Sequence, residues 1–243
     1  MEIVACRNSC DIDVYFEEYD WIAKNREYQE FTKKTIACPY EKRTYGVGYL
    51  GEGEYKTTDN NKLSKYYSVW VSMLARCYDP YEINKGHNMV YANVFVCEEW
   101  HNFQNFAKWC EENYYEIKNE PMCLDKDILF KGNKIYSPQK CIFVPQRINK
   151  LFTKSNAIRG EYPIGVRYHK RDDVLEVYCS IYKNNKKKRV YLGRLPINRP
   201  FQAFTVYKNF KEKIIKQVAD EYKCYIPTKL YEAMYKYEVE IND

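Results

Sequence analysis

The chain has 243 residues, of which 45% are apolar, so it can bury one large core or two to three small ones, and wholesale disorder is excluded. Its net charge of +6 is unevenly placed: residues 1–160 carry 22 Lys and Arg against 22 Asp and Glu, whereas residues 161–229 carry 16 against 7. Residues 230–243 hold one Lys and four acids. A polyanionic partner is therefore expected to contact the region from residue 161 onward. The alternative interpretation is a solvated basic surface.

Membrane and secretory signals are missing from the sequence. No apolar run approaches the roughly 20 residues that a membrane span needs, and the opening MEIVACRNSC lacks the apolar core of a signal peptide. The ten cysteines include no Cys-x-x-Cys pair. These features predict an intracellular chain with reduced thiols and no membrane partner. The spacing of Cys6, Cys10 and Cys38 is not a ligand pattern, so no zinc is expected.

Residues 1–60 are predicted to form a small β-rich module. The runs EIVACR and DIDVYF are typical of short strands, and TYGVGYLGEGEY is punctuated by glycines. No residue in this segment has the pattern of a catalytic site.

Two helices are predicted in the middle of the chain. Residues 64–78 begin at Ser64, a good N-cap residue, and end before the pair Asp79-Pro80. After an irregular stretch and a short strand at 93–97, a second helix is expected from 98 to about 113, opened by two acids that suit the helix dipole. The aromatic and aliphatic residues at helical spacing are expected to be core rather than base-stacking groups.

Residues 123–152 have the pattern strand, loop, strand, helix. CLDKDILF is the first strand, KGNKIYSPQ the loop, KCIFVP the second strand and QRINKLF the short helix. Alternation along the first strand would place Asp125 and Asp127 on one face and Lys126 on the other. The two acids are therefore a candidate acidic cluster. The alternative is that they are surface groups paired with Lys131 or Lys134.

From residue 163, after a polar linker at 153–162, three short strands and a long helix are predicted. The strands are IGVRYH, VLEVYCSIY and KRVYLGRL, and the helix spans about 201–222. In the middle strand Leu175, Val177, Cys179 and Ile181 share one face, which the helix would cover. The other face stays open and polar. The candidate DNA-contacting residues of this face and of the adjoining hairpin are Arg167, His169, Tyr178, Lys186, Lys187, Lys188, Arg189 and Tyr191.

The succession GVRYHK, a variable strand, KKRVYLG and an amphipathic helix resembles the Apetala-type (ethylene-response-factor-like) DNA-binding domain over about residues 163–222. That domain also occurs in phage homing endonucleases and integrases. The resemblance implies a three-stranded sheet that enters the major groove of DNA. It carries over Arg167, Arg189 and Arg194 as contacts. The alternative is an ordinary sheet with a wet polar face and a charged hairpin that blocks edge pairing.

The segment LDKDILFKGNKIYSPQKCIFVPQRIN resembles the HNH nucleases of phages, and the upstream runs W-x-x-M-x-x-R-C-Y and V-x-x-x-W-x-x-F-x-x-F-x-x-W match the same group. The resemblance spans nearly the whole chain. It implies a metal-dependent DNA endonuclease in which Asp125 and Asn149 hold magnesium or manganese. Two positions depart from the family pattern: Lys126 stands where the base His is expected, and Lys140 where an Asn is expected. Because an unperturbed Lys is a poor base near neutral pH, Asp127 joins the candidate catalytic set as base or second ligand.

Together these patterns predict an α+β chain of three modules. They are a small β-rich module (1–60), a central ββα-metal, HNH-like region with two preceding helices (61–155), and an Apetala-type domain with a three-stranded antiparallel sheet packed on one helix, plus a C-terminal helix (156–243). The expected function is site-specific, metal-dependent cleavage of double-stranded DNA by a phage homing-type endonuclease in the cytoplasm of a bacterial host. The alternative is a catalytically inactive phage protein on the same scaffold. It would act as a DNA-binding regulator, or it would inhibit a host nuclease-based (CRISPR-type) defence system by contacting a host protein.

Overall fold

A computed structural model describes residues 1–81, 93–153, 161–183, 186–241 and 243. Most of the predicted irregular stretch after helix 64–78 and most of the predicted linker lie outside the described residues. Within the described ranges the chain forms six α-helices and several small sheets, so the α+β class is confirmed. No helix in these ranges combines the length and apolar character needed to cross a membrane. All ten cysteines are free thiols.

The chain divides into two compact units. The first comprises Met1–Glu112 and Ile135–Ser137, and the second Asn113–Lys134 and Pro138–Asp243. The module boundary predicted at residue 155 does not coincide with a boundary between these units. The reason is that Val144 and Ile148, from the predicted nuclease segment, share one apolar core with Leu175 and Val177 of the C-terminal sheet.

The first unit opens with a three-stranded antiparallel sheet and a short helix. These elements are β1 (Glu2–Asn8), β2 (Asp11–Phe16), β3 (Trp21–Arg26) and α1 (Tyr28–Thr32). Ile12 and Val14 of the central strand alternate with less buried neighbours and are fully buried, which gives this sheet its own small core with Ala23 and Ile36. A two-residue hairpin follows, formed by β4 (Thr58–Asp59) and β5 (Lys62–Leu63).

The rest of the first unit is built on two helices, α2 (Lys65–Tyr78) and α3 (Phe103–Asn113). The predicted N-cap is confirmed, because the Ser64 hydroxyl accepts the backbone N–H of Tyr67. The second helix was predicted to begin at residue 98, which is wrong. A 3₁₀ turn occupies Glu98–His101, and Asn102, in an extended conformation, accepts the N–H of Gln104 and so starts the helix later.

The aromatic stripes of these helices are core, as predicted. Trp70, Trp100, Phe103 and Phe106 are completely buried. Trp70 Nε1 donates to the carbonyl oxygen of Trp100 at 2.7 Å, which satisfies a polar atom inside the cluster. A short parallel pair completes the unit, β6 (Phe95–Val96) with β8 (Ile135–Tyr136).

The second unit begins with an antiparallel pair, β7 (Met122–Asp125) and β9 (Ile142–Pro145), followed by α4 (Gln146–Phe152). Residues 142–145 are all buried, so the pair and its helix lie against the main core of the unit. The strand predicted over 123–130 is shorter than expected and ends at Asp125. The cause is the Asp125 side chain, which folds the following residues into a turn.

The second unit continues with a three-stranded antiparallel sheet in the order β10 (Val166–His169), β11 (Val174–Lys183), β12 (Lys186–Pro196). Helix α5 (Pro200–Tyr222) packs on one face of this sheet, and α6 (Thr228–Lys236) follows. Leu175, Val177 and Cys179 point to the helix and are fully buried, whereas Ile181, nearer the hairpin end, is half-buried.

Candidate functional site

The outer face of the C-terminal sheet, defined as the face that carries Glu176, Tyr178 and Ser180, is set by strand register. Glu176 lies opposite Arg167 on β10 and Arg194 on β12. Tyr178 lies opposite Tyr191, and Ser180 lies opposite Arg189. Because directly opposed residues project to the same side of a sheet, these side chains form one surface away from α5.

A β-bulge decides which residues of β12 reach that surface. Val177 lies opposite Gly193 but Tyr178 lies opposite Tyr191, so Leu192 is an extra residue. Simple alternation from Tyr191 would send Arg194 to the inner face, and the bulge returns it to the outer face. Gly193 has φ +140, a conformation that L side chains rarely adopt, and this explains the glycine at the bulge.

The lysines at the hairpin end divide between the two faces. Lys187 lies opposite Tyr182 and therefore shares the outer face with Arg189. Lys188 lies opposite Ile181 and has the inner-face parity. Lys186, Lys187 and Lys188 form one basic run in the sequence. In the sheet, the register gives Lys187 the parity of the outer face and its two neighbours the parity of the inner face.

Arginine and tyrosine side chains are stacked at the centre of the outer face. The guanidinium carbon of Arg189 lies 4.0 Å from the centroid of the Tyr178 ring. The Tyr191 ring lies 5.4 Å from the same ring, and Tyr191 is 51% exposed. Arg189 and Lys187 are exposed as well. This half of the face therefore offers positive charge and open aromatic surface together.

The other half of the face is charge-compensated. Arg194 donates through Nε and Nη2 to Glu176 Oε1 at 3.2 and 2.9 Å, and through Nη1 to Asp172 Oδ2 at 2.8 Å. The Tyr178 hydroxyl and then Arg194 hold the pKa of Glu176 below its usual range, so the acid is ionised at neutral pH. His169 Nδ1 also lies 3.4 Å from Asp172 Oδ2. Among the described residues, Arg189 and the exposed Arg167 have no ion pairs like those that Arg194 makes with Glu176 and Asp172.

The predicted acidic cluster at Asp125 and Asp127 has a different geometry from the one expected. Asp125 Oδ1 accepts the backbone N–H groups of Asp127 at 3.0 Å and Ile128 at 2.7 Å, so its carboxylate caps a turn. The prediction that Lys126 points away from the acids is wrong. Since the strand ends at Asp125, alternation does not continue, and Lys126 Nζ lies 3.1 Å from Asp127 Oδ2.

Lys126 is buried inside the loop that follows β7. Its side chain is 8% exposed, and its Nζ also donates to the Asn133 carbonyl oxygen at 3.1 Å. In return, Asn133 Nδ2 donates to the Lys126 carbonyl oxygen at 2.7 Å. This reciprocal pair closes the loop. The lysine that stands at the expected base position is therefore held by a carboxylate and a carbonyl.

Asp125 has a strongly perturbed carboxyl group. Burial and the neighbouring charge of Asp127 raise its pKa to about 6, and the two backbone N–H groups oppose that rise. Asn149, the predicted second ligand, is half-buried on α4. The described residues contain no group of three or more His, Cys, Asp and Glu side chains that could hold a metal. Carboxylate and amide oxygens nevertheless suit magnesium, which commonly binds through one or two protein ligands and retains water.

Sequence reasoning missed the contacts that fix the loop after β7 to the end of the chain. Lys131 was considered as a partner for the acidic cluster, but its Nζ instead donates to Asp243 Oδ2 and the Glu238 carbonyl oxygen, both at 2.8 Å. Lys140, at the other departure from the nuclease pattern, lies with its Nζ 3.7 Å from the Phe130 ring centroid. The acidic composition of residues 230–243 was the one signal in the sequence for these contacts, and it does not predict which basic residues bind there.

Comparisons with known proteins identify no relative of this chain. No protein-family model, no curated protein and no solved structure matches the chain.

Proposed function

We propose that this protein binds double-stranded DNA through the outer face of its C-terminal sheet, at the end nearest the β11–β12 hairpin. The observation that supports this proposal most strongly is the stack of Arg189 on Tyr178, with exposed Tyr191 and Lys187 on the same face. Cations attract phosphates, and a two- or three-stranded ribbon of this width fits the major groove. The excess of 16 basic over 7 acidic residues in 161–229 supports the same partner.

The ion pairs on the outer face reduce the number of residues that we propose to contact DNA. Arg194 is bound by Glu176 and Asp172, so its charge contributes little to the attraction of a phosphate. We therefore assign the DNA contacts to Lys187, Arg189 and Tyr191, with Arg167 at the margin.

The test is fluorescence anisotropy with a labelled, AT-rich duplex of about 30 base pairs. Arg189→Ala should weaken binding by about fivefold or more, in line with the free energy of one charged DNA contact. The matched control is Lys229→Ala, which removes one exposed positive charge from helix α6 and none from the sheet. Equal affinities for the wild type and Arg189→Ala would overturn the proposed interface.

A second candidate activity, metal-dependent DNA cleavage, is favoured by the arrangement of β7, β9 and α4 around Asp125. Asp125 lies at the end of the first strand and has a raised pKa, as perturbed carboxyl groups in catalytic sites often do. We propose that, if the segment is active, Asp125 and Asn149 hold magnesium or manganese, which would supply charge neutralisation at the scissile phosphate. Asp127 would then orient Lys126.

The burial of Lys126 favours the rival proposal, a catalytically inactive DNA-binding regulator or inhibitor of a host defence protein. The Lys126 ammonium donates to Asp127 and to the Asn133 carbonyl oxygen, and an ammonium has no lone pair with which to take a proton from water. Incubation of long AT-rich DNA with magnesium or manganese separates the two. Cleavage that disappears in Asp125→Ala and Asn149→Ala would support the nuclease. Intact DNA, still retained by the protein in a low-salt shift assay, would support the inactive protein.

A further inference from the structure

A buried acid lies on the outer face of the sheet, next to the proposed DNA contacts. Glu176 is on the central strand and is 6% exposed, although the outer face is otherwise open. By charge alone, a carboxylate at this place opposes the approach of a polyanion. Its two oxygens are both in use: Oε2 accepts the Tyr178 hydroxyl at 2.9 Å, and Oε1 accepts Arg194.

The hydrogen bond to Glu176 fixes the Tyr178 ring. A tyrosine side chain has two rotatable bonds before its ring, so anchoring the hydroxyl restricts the ring plane as well. That ring is the surface on which the Arg189 guanidinium rests at 4.0 Å. The three residues therefore form a chain of contacts from a buried carboxylate, through an aromatic ring, to an exposed cation.

We propose that Glu176 is a positioning residue for DNA binding, which acts through Tyr178 to hold the Arg189 guanidinium in the orientation that contacts DNA. This inference rests on the proposed function. A guanidinium that is already ordered loses less side-chain freedom on binding, which increases affinity. The acid thus aids the binding of a polyanion that it repels.

Glu176→Gln should change the affinity for DNA in two opposite ways. Loss of the negative charge, and the partial release of Arg194, should strengthen DNA binding. Loss of the charged acceptor for the Tyr178 hydroxyl should loosen the ring and Arg189, which weakens binding. We expect the second effect to prevail, with Kd raised about two- to tenfold, the range for one side chain that must be immobilised.

The experiment is a set of anisotropy titrations with the labelled duplex, on the wild type, Glu176→Gln, Arg189→Ala and the double variant. In the Arg189→Ala background there is no guanidinium to position, so adding Glu176→Gln should leave affinity unchanged or improve it. A merely structural role for Glu176 would weaken both backgrounds alike, and that result would overturn the inference.

Tyr178→Phe is the second, gentler variant, since it keeps the ring and removes only the hydroxyl donor. It should weaken binding in the same direction as Glu176→Gln, and the two changes combined should be less than additive. If the wild type binds and depends on Arg189 but Glu176→Gln binds more tightly, the inference alone is overturned. If the wild type does not bind the duplex, the proposed function is overturned and the inference with it.

Discussion

The division of the hairpin lysines between two faces makes a sharp prediction about the salt dependence of DNA binding. Lys187 and Lys188 are adjacent, exposed and chemically identical, yet Lys187 shares the outer face with Arg189 and Lys188 does not. If DNA lies on the outer face, Lys187→Ala removes one phosphate contact, whereas Lys188→Ala removes none. The two variants have the same net charge, so any difference between them reports the placement of the DNA.

The size of the effect follows from counterion release. Each phosphate contact contributes about 0.9 to the slope of log affinity against log salt concentration. Lys187→Ala should therefore flatten the slope by about 0.9, while Lys188→Ala should keep the wild-type slope. Between about 50 and 200 mM salt, a fourfold change, the wild type should lose about 3.5-fold more affinity than Lys187→Ala.

The measurement is anisotropy with the labelled duplex at four or more salt concentrations, with unfolding by urea as a check that both variants are folded. Equal slopes for Lys187→Ala and Lys188→Ala would refute the assignment of DNA to one face of the sheet. A larger change for Lys188→Ala would place the DNA on the opposite side of the hairpin.

Three further predictions concern stability, measured by urea unfolding. With a folded-state pKa of about 6, Asp125 binds its proton more tightly in the folded protein than in the unfolded chain, so its charge lowers stability above that pH and this cost fades as pH falls toward about 4. In EDTA, Asp125→Asn should therefore be more stable than the wild type by up to ~3 kcal/mol at neutral pH and no more stable at about pH 4. If the variant is less stable than the wild type at both pH values, the Asp125 carboxylate does not carry the expected cost of burial. Lys131→Met should lower the free energy of unfolding by ~1–3 kcal/mol because it removes the ammonium that lies 2.8 Å from the buried Asp243 carboxylate, and adding Asp243→Asn should restore part of the loss. Gly165→Ala should cost more than ~1 kcal/mol, since φ is +78 and the new methyl group would lie 2.0 Å from the Tyr207 ring; an unchanged midpoint would mean that the ring moves freely.

Much of the fold was predictable from local pattern. The alternation of Leu175, Val177 and Cys179 predicted which face of the middle strand is buried, and the cap at Ser64 predicted the start of the first long helix. Both signals depend on periods of two or about 3.6 residues, which adjacent residues define without help from the rest of the chain. The mixed α+β class followed from the same periods.

The candidate sites were only partly predictable. The sequence identified the outer face and the loop after β7 as places where charged residues gather. It placed Lys126 on the wrong side, because one carboxylate, that of Asp125, ended the strand earlier than the alternation suggested. It also grouped Arg194 with Arg189, although a bulge and two acids give them different surroundings.

Local pattern in the sequence is therefore enough to predict most of the helices and strands, their buried faces and the charge of the C-terminal region. The tertiary structure alone decided which charges are compensated. Arg194 meets Glu176 across 18 residues of chain, and Lys131 meets Asp243 across 112. Contacts between residues so far apart leave no periodic trace in the sequence, because they depend on how the strands and helices pack. Which basic side chains remain available to contact DNA therefore depends on the ion pairs that form in the folded protein.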